Sequence, residues 1–333
     1  METATQKLLL VDDEAGLRRS LNFGLSQRGY AIDEVEEGLP ALKLIDSSYA
    51  QQRPYCVVML DINLPDINGL KLLELIKSRH PGLPVIVVSA YGSPATPATV
   101  AMKHGDGYLD KPFLVDELTD LIARLPRPQP EERIAAPAPA TQPQTVSAYA
   151  MVRLAPTADV MATFRSLYFM DNVIYCDAVY DQFDIVMLLN GGSQAEIEEL
   201  VRTRIRSNPD VAEVTLSPIV RPQLDPAVAG FIKEYDQQRG LDPAAYKLAH
   251  GRASLSTYVF VDIEPQRLSE VFPKLYFMKG VVSCDATRGE HDAVLLVQSH
   301  SFEENERILT QELKLIDGIV RTSTVKVINL LEM

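Results

Sequence analysis

The sequence predicts an α/β N-terminal domain with a doubly wound, five-stranded parallel sheet of (βα)5 order, followed by two smaller α+β modules of order βαββαβ. Three observations predict it. Short apolar runs alternate with amphipathic stretches from Lys7 to about Leu125; a proline-rich segment then breaks every periodicity; beyond it the chain repeats itself at an offset of 108 residues.

In the first region, strands are predicted at LLLV (8–11), AIDEV (31–35), CVVML (56–60), VIVV (85–88) and GYL (107–109). Stretches such as LRRSLNFGLSQ, LKLLELIKS and VDELTDLIARL carry apolar residues at three- and four-residue intervals, the spacing of helices packed on a sheet. Five βα units make a parallel sheet covered on both faces, with a ligand site at the carboxyl ends of its strands. The domain is predicted over 1–125, and the segment 126–146, with PRPQPEERIAAPAPATQPQT, reads as a linker because proline donates no ladder bond and biases its neighbours toward extended backbone.

LYFM at 167–170 recurs at 275–278, CDA at 176–178 recurs at 284–286, and Asp184 falls on Asp292. Before LYFM the offset is 109, carrying Tyr149 onto Tyr258, so one insertion lies in the first helix or the loop before it. Two copies of one module are read, at 147–220 and 256–333. Each has the ferredoxin-like order. Between them, 221–255 is a connector with two short helices, each opened by Asp-Pro as N-cap and first helical position.

At 333 residues the chain is long enough for several cores, and 46% apolar with 23% charged residues suits folded domains. A formal net charge of −13 repels nucleic acid and anionic lipid, so nucleic-acid binding is disfavoured. Cys56, Cys176 and Cys284 are too scattered for a disulfide framework or a zinc knuckle, which suits a reducing cytoplasm. The apolar run near the N-terminus is too short for a signal peptide or a membrane span. Cys176 and Cys284, at equivalent strand positions, read as small buried hydrophobes.

Asp12 and Asp13 follow the first predicted strand, Asp61 the third, Ser89 the fourth and Lys111-Pro112 the fifth. Transfer of a phosphoryl group onto a carboxylate brings anion to anion, so the chemistry asks for a hard divalent cation in oxygen ligands and a fixed ammonium for the incoming oxygens. This constellation, with DINLPDINGL around Asp61, resembles the response-regulator receiver domain. The resemblance implies that Asp61 takes a phosphoryl group from a histidine kinase or phosphotransfer protein, and that Asp13, Asp61 and the Asn63 carbonyl ligate Mg²⁺ with help from Asp12 through water. It implies that Lys111 stabilises the phosphate, that Ser89 and Tyr108 switch, that Lys111-Pro112 is cis, and that the output face is the helix after the fourth strand, the fifth strand and the helix after it. Pro94 and Pro97 are expected to delay the first of those helices to about Pro97.

The repeats resemble the ligand-sensing module of Lrp/AsnC regulators, best in VVSCDATRGEHDAVLLVQS, where Gly289 to Asp292 matches a Gly-x-x-Asp hairpin; Asp181 stands at the glycine position of the first copy. The other face of each small sheet has to be buried, by the second copy, the reading favoured, or by a second chain, and a homo-oligomer or protein partner through these modules is expected. The function expected is a phosphorylation switch on a tandem output that binds a small ligand or protein, not a metabolic enzyme. The alternative is a DNA-binding transcriptional regulator using the 225–250 helices.

Overall fold

The computed structural model describes residues 6–90, 100–101, 103–126, 146–239, 255–299 and 301–328. Linker residues 127–145, the second connector helix at 242–250 and the helix start at Pro94 to Pro97 lie outside the described residues; Val100 and Ala101 are helical. The chain divides into two compact units, the first joining the N-terminal domain to Pro226–Tyr235 and Phe277–Lys279, the second holding both repeats.

In the first unit the order is β1 (Lys7–Val11), α1 (Ala15–Ser26), β2 (Ala31–Val35), α2 (Gly38–Ala50), β3 (Val57–Asp61), α3 (Gly69–Arg79), β4 (Val85–Ala90), β5 (Gly107–Lys111) and α4 (Val115–Arg124). The sheet runs β2-β1-β3-β4-β5 with every pair parallel. Strands β1 and β3 are buried on both faces because helices cover both. Leu21 and Leu25 of α1 and Leu118 and Ile122 of α4 pack on Leu8, Leu10, Val57 and Val88, while Leu42 and Ile45 of α2 and Leu72 and Ile76 of α3 are equally buried. Helix α2 is the second helix of the five expected βα units; its start, GLP, gives no side-chain cap. Chain order reverses between β1 and β3, and Asp12 and Asp61 stand at that reversal.

The second unit contains β6 (Val146–Leu154), α5 (Val160–Tyr168), β7 (Val173–Tyr180), β8 (Ile185–Gly191), α6 (Gln194–Leu200), β9 (Val211–Pro218), then, after the connector helix α7 (Pro226–Arg239), β10 (Leu255–Ile263), α8 (Leu268–Phe277), β11 (Val281–Ala286), β12 (Ala293–Ser299), α9 (Phe302–Arg307) and β13 (Ile319–Ile328). Both copies have βαββαβ order. The one-residue slip falls in the loop between first strand and first helix, Ala155–Asp159 against Glu264–Arg267. Helices α6 and α9 each continue into a π-helical turn, Val201–Ile205 and Ile308–Glu312, which the 3.6-residue pattern does not distinguish.

The repeats join into one eight-stranded sheet, β11-β12-β10-β13-β7-β8-β6-β9, through the antiparallel pairing of β13 with β7. Beyond the two end strands the chain also meets: Ile219 bridges Thr287, Val220 N–H donates to Ala286 O at 2.8 Å, and Arg288 N–H donates to Pro218 O at 2.9 Å. Tyr149, Met151, Val186 and Leu188 of one repeat share a core with Tyr258, Phe260, Val294 and Leu296 of the other. The open faces therefore bury one another within a single chain. Two reciprocal bonds cross this core, Tyr149 Oη to Asp285 Oδ2 at 2.7 Å and Tyr258 Oη to Asp177 Oδ2 at 2.5 Å. Cys176 and Cys284 are buried and unbonded to each other. No helix among the described residues is long and apolar enough to cross a membrane.

Gly289 takes φ +145° and Asp181, at the equivalent turn of the first copy, φ +124°. A Cβ at Gly289 would meet Ser217 Oγ at 3.4 Å, an ordinary contact, so backbone conformation is what demands glycine. Gly289→Ala is expected to lose about 1–2 kcal/mol and Asp181→Gly to gain, since each L side chain there is strained. Urea unfolding of both variants measures this, and equal midpoints for Gly289→Ala and the parent chain would contradict it.

Burial pushes the Asp285 carboxyl up to about 6, against the pull of the Tyr149 hydroxyl and with the added charge of Asp236. An acid whose folded pKa exceeds its unfolded value stabilises the fold while protonated; that contribution is full below about pH 4 and lost as pH rises through 6. Between pH 4 and 8 the loss is about 3 kcal/mol. Asp285→Asn is expected to flatten this part of the pH dependence of urea unfolding. Parallel slopes for variant and wild type would rule the group out.

Candidate functional site

The site lies where β1 and β3 end. Asp12 and Asp61 are buried, at 1% and 3% exposure, whereas Asp13 is exposed. Lys111, at the end of β5, places its ammonium 2.7 Å from Asp12 Oδ2 and 3.1 Å from Asp61 Oδ1. The Asp12 carboxylate also accepts from Glu14 N–H at 2.8 Å, and Asp61 Oδ2 accepts from Asn63 N–H at 2.9 Å. Burial pushes the Asp61 carboxyl upward; the nearby Lys111 charge opposes this and Asp12 adds to it, leaving a net rise. Burial pulls Lys111 down, but its bond to Asp12 and the charges of Asp61 and Asp12 outweigh this and leave it above the usual lysine value.

Ser89, fully buried at the end of β4, is paired across the sheet with Asp110 of β5. Tyr108 Oη donates to Asp110 Oδ1 at 2.6 Å, and desolvation, then that bond, raise the phenol against an opposing bond with Ser89. The Lys111-Pro112 peptide is cis, as the resemblance implies.

The structure thus brings Asp12, Asp61, Asn63, Ser89 and Lys111 to one end of the sheet, with Tyr108 beside Ser89. Asp13, next to Asp12 in the chain, is exposed, and among the described residues no three acidic, histidine or cysteine side chains stand together as a metal-ligating group. The donor chemistry nonetheless fits a hard divalent cation. Its donors are oxygens, and two buried carboxylates share one ammonium.

Residues 8–123 match the response regulator receiver domain family. They are a receiver domain. The receiver is similar over 122 residues to the response regulator protein FleR of Pseudomonas aeruginosa, at 38% identity across 35% of this chain and 24% of that one. Over 133 residues it is similar to response regulator MprA of Mycobacterium sp. (strain KMS), at 35% identity across 40% of this chain and 56% of the relative. The chain therefore spans less than two thirds of these relatives' length. Among solved structures, the receiver domain of NtrX from Brucella abortus aligns at 32% identity over 35% of this chain and 95% of that chain, with TM-score 0.32. Residues 256–331 match the Lrp/AsnC ligand binding domain. Within that domain Asp292 Oδ2 accepts from Ile263 N–H at 2.8 Å, so the hairpin aspartate ties its turn to the neighbouring strand; Asp184 does the same for Leu154 N–H at 2.7 Å.

The sequence reading passed over Asp66, which is 4% exposed and accepts from Gly38 and Leu39 N–H, both at 2.7 Å. The available signal was an uncapped helix start at Glu37-Gly38-Leu39-Pro40 and an unassigned acid beside Pro65.

Lys111→Met removes the cation shared by Asp12 and Asp61 and is expected to destabilise the receiver by about 1–3 kcal/mol at pH 7. The loss is expected to shrink on acidification, as the carboxylates take protons. Urea unfolding at pH 7 and pH 4 measures both; an unchanged loss would show that the ammonium does not compensate those charges.

Proposed function

We propose that this chain is a phosphorylation-controlled response regulator in which Asp61 takes the phosphoryl group of a histidine kinase or phosphotransfer protein. The observation that carries the reading is the convergence of Asp12, Asp61 and Lys111 at the sheet's switch point, within a receiver domain of a two-component system. A carboxylate oxygen of Asp61 bonds the phosphorus, the bond from phosphorus to the donor's imidazole nitrogen breaks, and the leaving imidazole keeps the electron pair. Lys111 faces the charge gathered on the phosphoryl oxygens without changing its own protonation. Asp13, Asp61 and the Asn63 carbonyl, with Asp12 beside them, would hold Mg²⁺, which would supply charge neutralisation. Ser89 and Tyr108 report the new charge to the surface around β5.

For the output, the paired repeats support binding of a small ligand or protein partner, with the Gly289–Asp292 hairpin as its candidate contact. Metabolic catalysis is not part of this reading, and the chain acts in the cytoplasm. The net charge of −13 disfavours nucleic acid.

Asp61→Asn is expected to abolish labelling by acetyl phosphate while leaving the melting temperature near that of the wild type, because the amide keeps the shape but forms no acyl phosphate. Labelling at the wild-type rate would move the acceptor elsewhere. An electrophoretic mobility shift with phosphorylated protein separates the DNA-binding alternative: sequence-specific retardation would favour it.

A further inference from the structure

Asp61 is followed by a loop, Ile62 to Asn68, that carries the Asn63 carbonyl. Its base is closed twice. Gly69 N–H donates to Ile62 O at 2.8 Å, and Asn63 bridges Asn68. The approach is so close that a Cβ on Gly69 would stand 2.2 Å from Asp61 O. The far end of the loop has no such ladder, and there the sequence places Asp66.

Asp66 reaches the start of α2. The first four N–H groups of a helix lack partners inside it. Here Gly38 and Leu39 N–H donate to the two Asp66 oxygens, Pro40 has no N–H, and Ala41 N–H returns to Glu37 O at 3.3 Å. The N-cap residue, Glu37, supplies no side-chain bond. The cap of α2 therefore comes from a loop 27 residues and more away. A carboxylate here faces the positive end of the helix dipole, and the acid is buried with both oxygens engaged. Gly38 makes the approach possible, since a Cβ there would stand 2.3 Å from Ile67 Cγ2.

The bonds close a ring around the site. Asp61 Oδ2 accepts from Asn63 N–H; the Asn63 loop carries Asp66; Asp66 holds α2; α2 follows β2, whose last residue, Val35, accepts from Asp12 N–H at 3.1 Å; and Asp12 returns to Asp61 through Lys111. Apart from Asp66, each tie is made by the backbone or by the acids and lysine of the site itself. Asp66 is the single outlying side chain in the ring.

We propose that Asp66 is a positioning residue for phosphoryl transfer: by bonding Gly38 and Leu39 it fixes the loop that presents Asn63, and so sets the spacing between the Asp61 end and the Asp12 end of the cation site. This rests on the receiver reading above. A loop released at its far end pivots on the Asn63–Asn68 bridge, and the Asn63 carbonyl samples positions away from Asp61. Outlying partners that orient ligands are worth roughly 10- to 100-fold in metal affinity. Loss of cation affinity and of phosphorylation therefore travel together, with the chemical step at saturating cation close to that of the wild type.

The test uses the full chain, as wild type, Asp66→Ala, Asp66→Asn and Leu118→Ala. The last empties a core position on α4, remote from the loop, and controls for plain loss of stability. Isothermal titration with Mg²⁺ alone gives the dissociation constant, and acetyl phosphate labelling at low and saturating Mg²⁺ gives the rate. Expected for Asp66→Ala is a dissociation constant raised about 10-fold and slow labelling that high Mg²⁺ restores. Asp66→Asn keeps one acceptor oxygen and is expected to fall between Asp66→Ala and the wild type; it stands in if Asp66→Ala does not fold. Leu118→Ala is expected to melt earlier with unchanged Mg²⁺ affinity. Folded Asp66 variants with Mg²⁺ affinity within twofold of the wild type would overturn the proposal, as would an equal loss of affinity in Leu118→Ala. A wild type that neither binds Mg²⁺ nor takes label overturns the receiver chemistry itself, and the role of Asp66 with it.

Discussion

Two carboxylates buried at the end of a parallel sheet repel one another, and the arrangement of the receiver follows from the need to hold them there. Asp12 directly follows β1 and Asp61 ends β3, and these neighbouring strands pair as far as Val11 and Leu60, so the sheet brings the two carboxylates close together. Lys111 answers with one ammonium for two charges, leaving the site short of positive charge. That deficit is useful. Under the function proposed above a cation can answer it, while the Lys111 ammonium opposes protonation of the two acids. The net upward displacement of Asp61 shows how the balance lies: burial exceeds what Lys111 returns.

Much of this was legible in the sequence because the receiver places its chemistry at strand ends, and strand ends are marked by the step from apolar run to polar residue. Asp12, Asp61, Ser89 and Lys111 each stand at such a step. Asp13 shares the step but is exposed where Asp12 is buried. Asp66 was illegible for the opposite reason. Its partners are backbone N–H groups on another element, and no side-chain pattern announces that a helix is capped from outside. Where α2 starts was hidden with it, because GLP offers no capping side chain.

The second unit was legible through repetition instead of periodicity. LYFM and CDA fixed the offset, and the offset fixed which residues are equivalent, so that the reciprocal bonds of Tyr149 with Asp285 and Tyr258 with Asp177 are one bond seen twice. What repetition did not show was which sheet faces meet, because burial against a second copy and burial against another chain leave the same apolar pattern. The β13–β7 ladder and the core shared across the repeats answer that for this chain.

Fusing two copies into one chain has a chemical consequence that a pair of identical subunits cannot have. Identical subunits must carry the same residue at both ends of their shared sheet, whereas fused copies are free to diverge. At one end His291 Nδ1 lies 2.7 Å from Asp262 Oδ1, Arg321 Nε lies 2.7 Å from Asp262 Oδ2, and the imidazole packs against Phe260. Burial raises the Asp262 carboxyl, but its bonds to His291 and Arg321 more than offset this and hold it below the usual carboxylate range. At the equivalent place in the first copy stand Phe183, Arg153 and Glu213, the last two 4.0 Å apart and exposed. The histidine has become a phenylalanine and the positions of acid and base are exchanged. The turn that Gly289 makes without strain is made by Asp181 with strain. Two ends with one backbone and different charges are chemically distinct, which the ends of a symmetric dimer cannot be. Duplication within the chain is therefore what gives this unit two unlike ends.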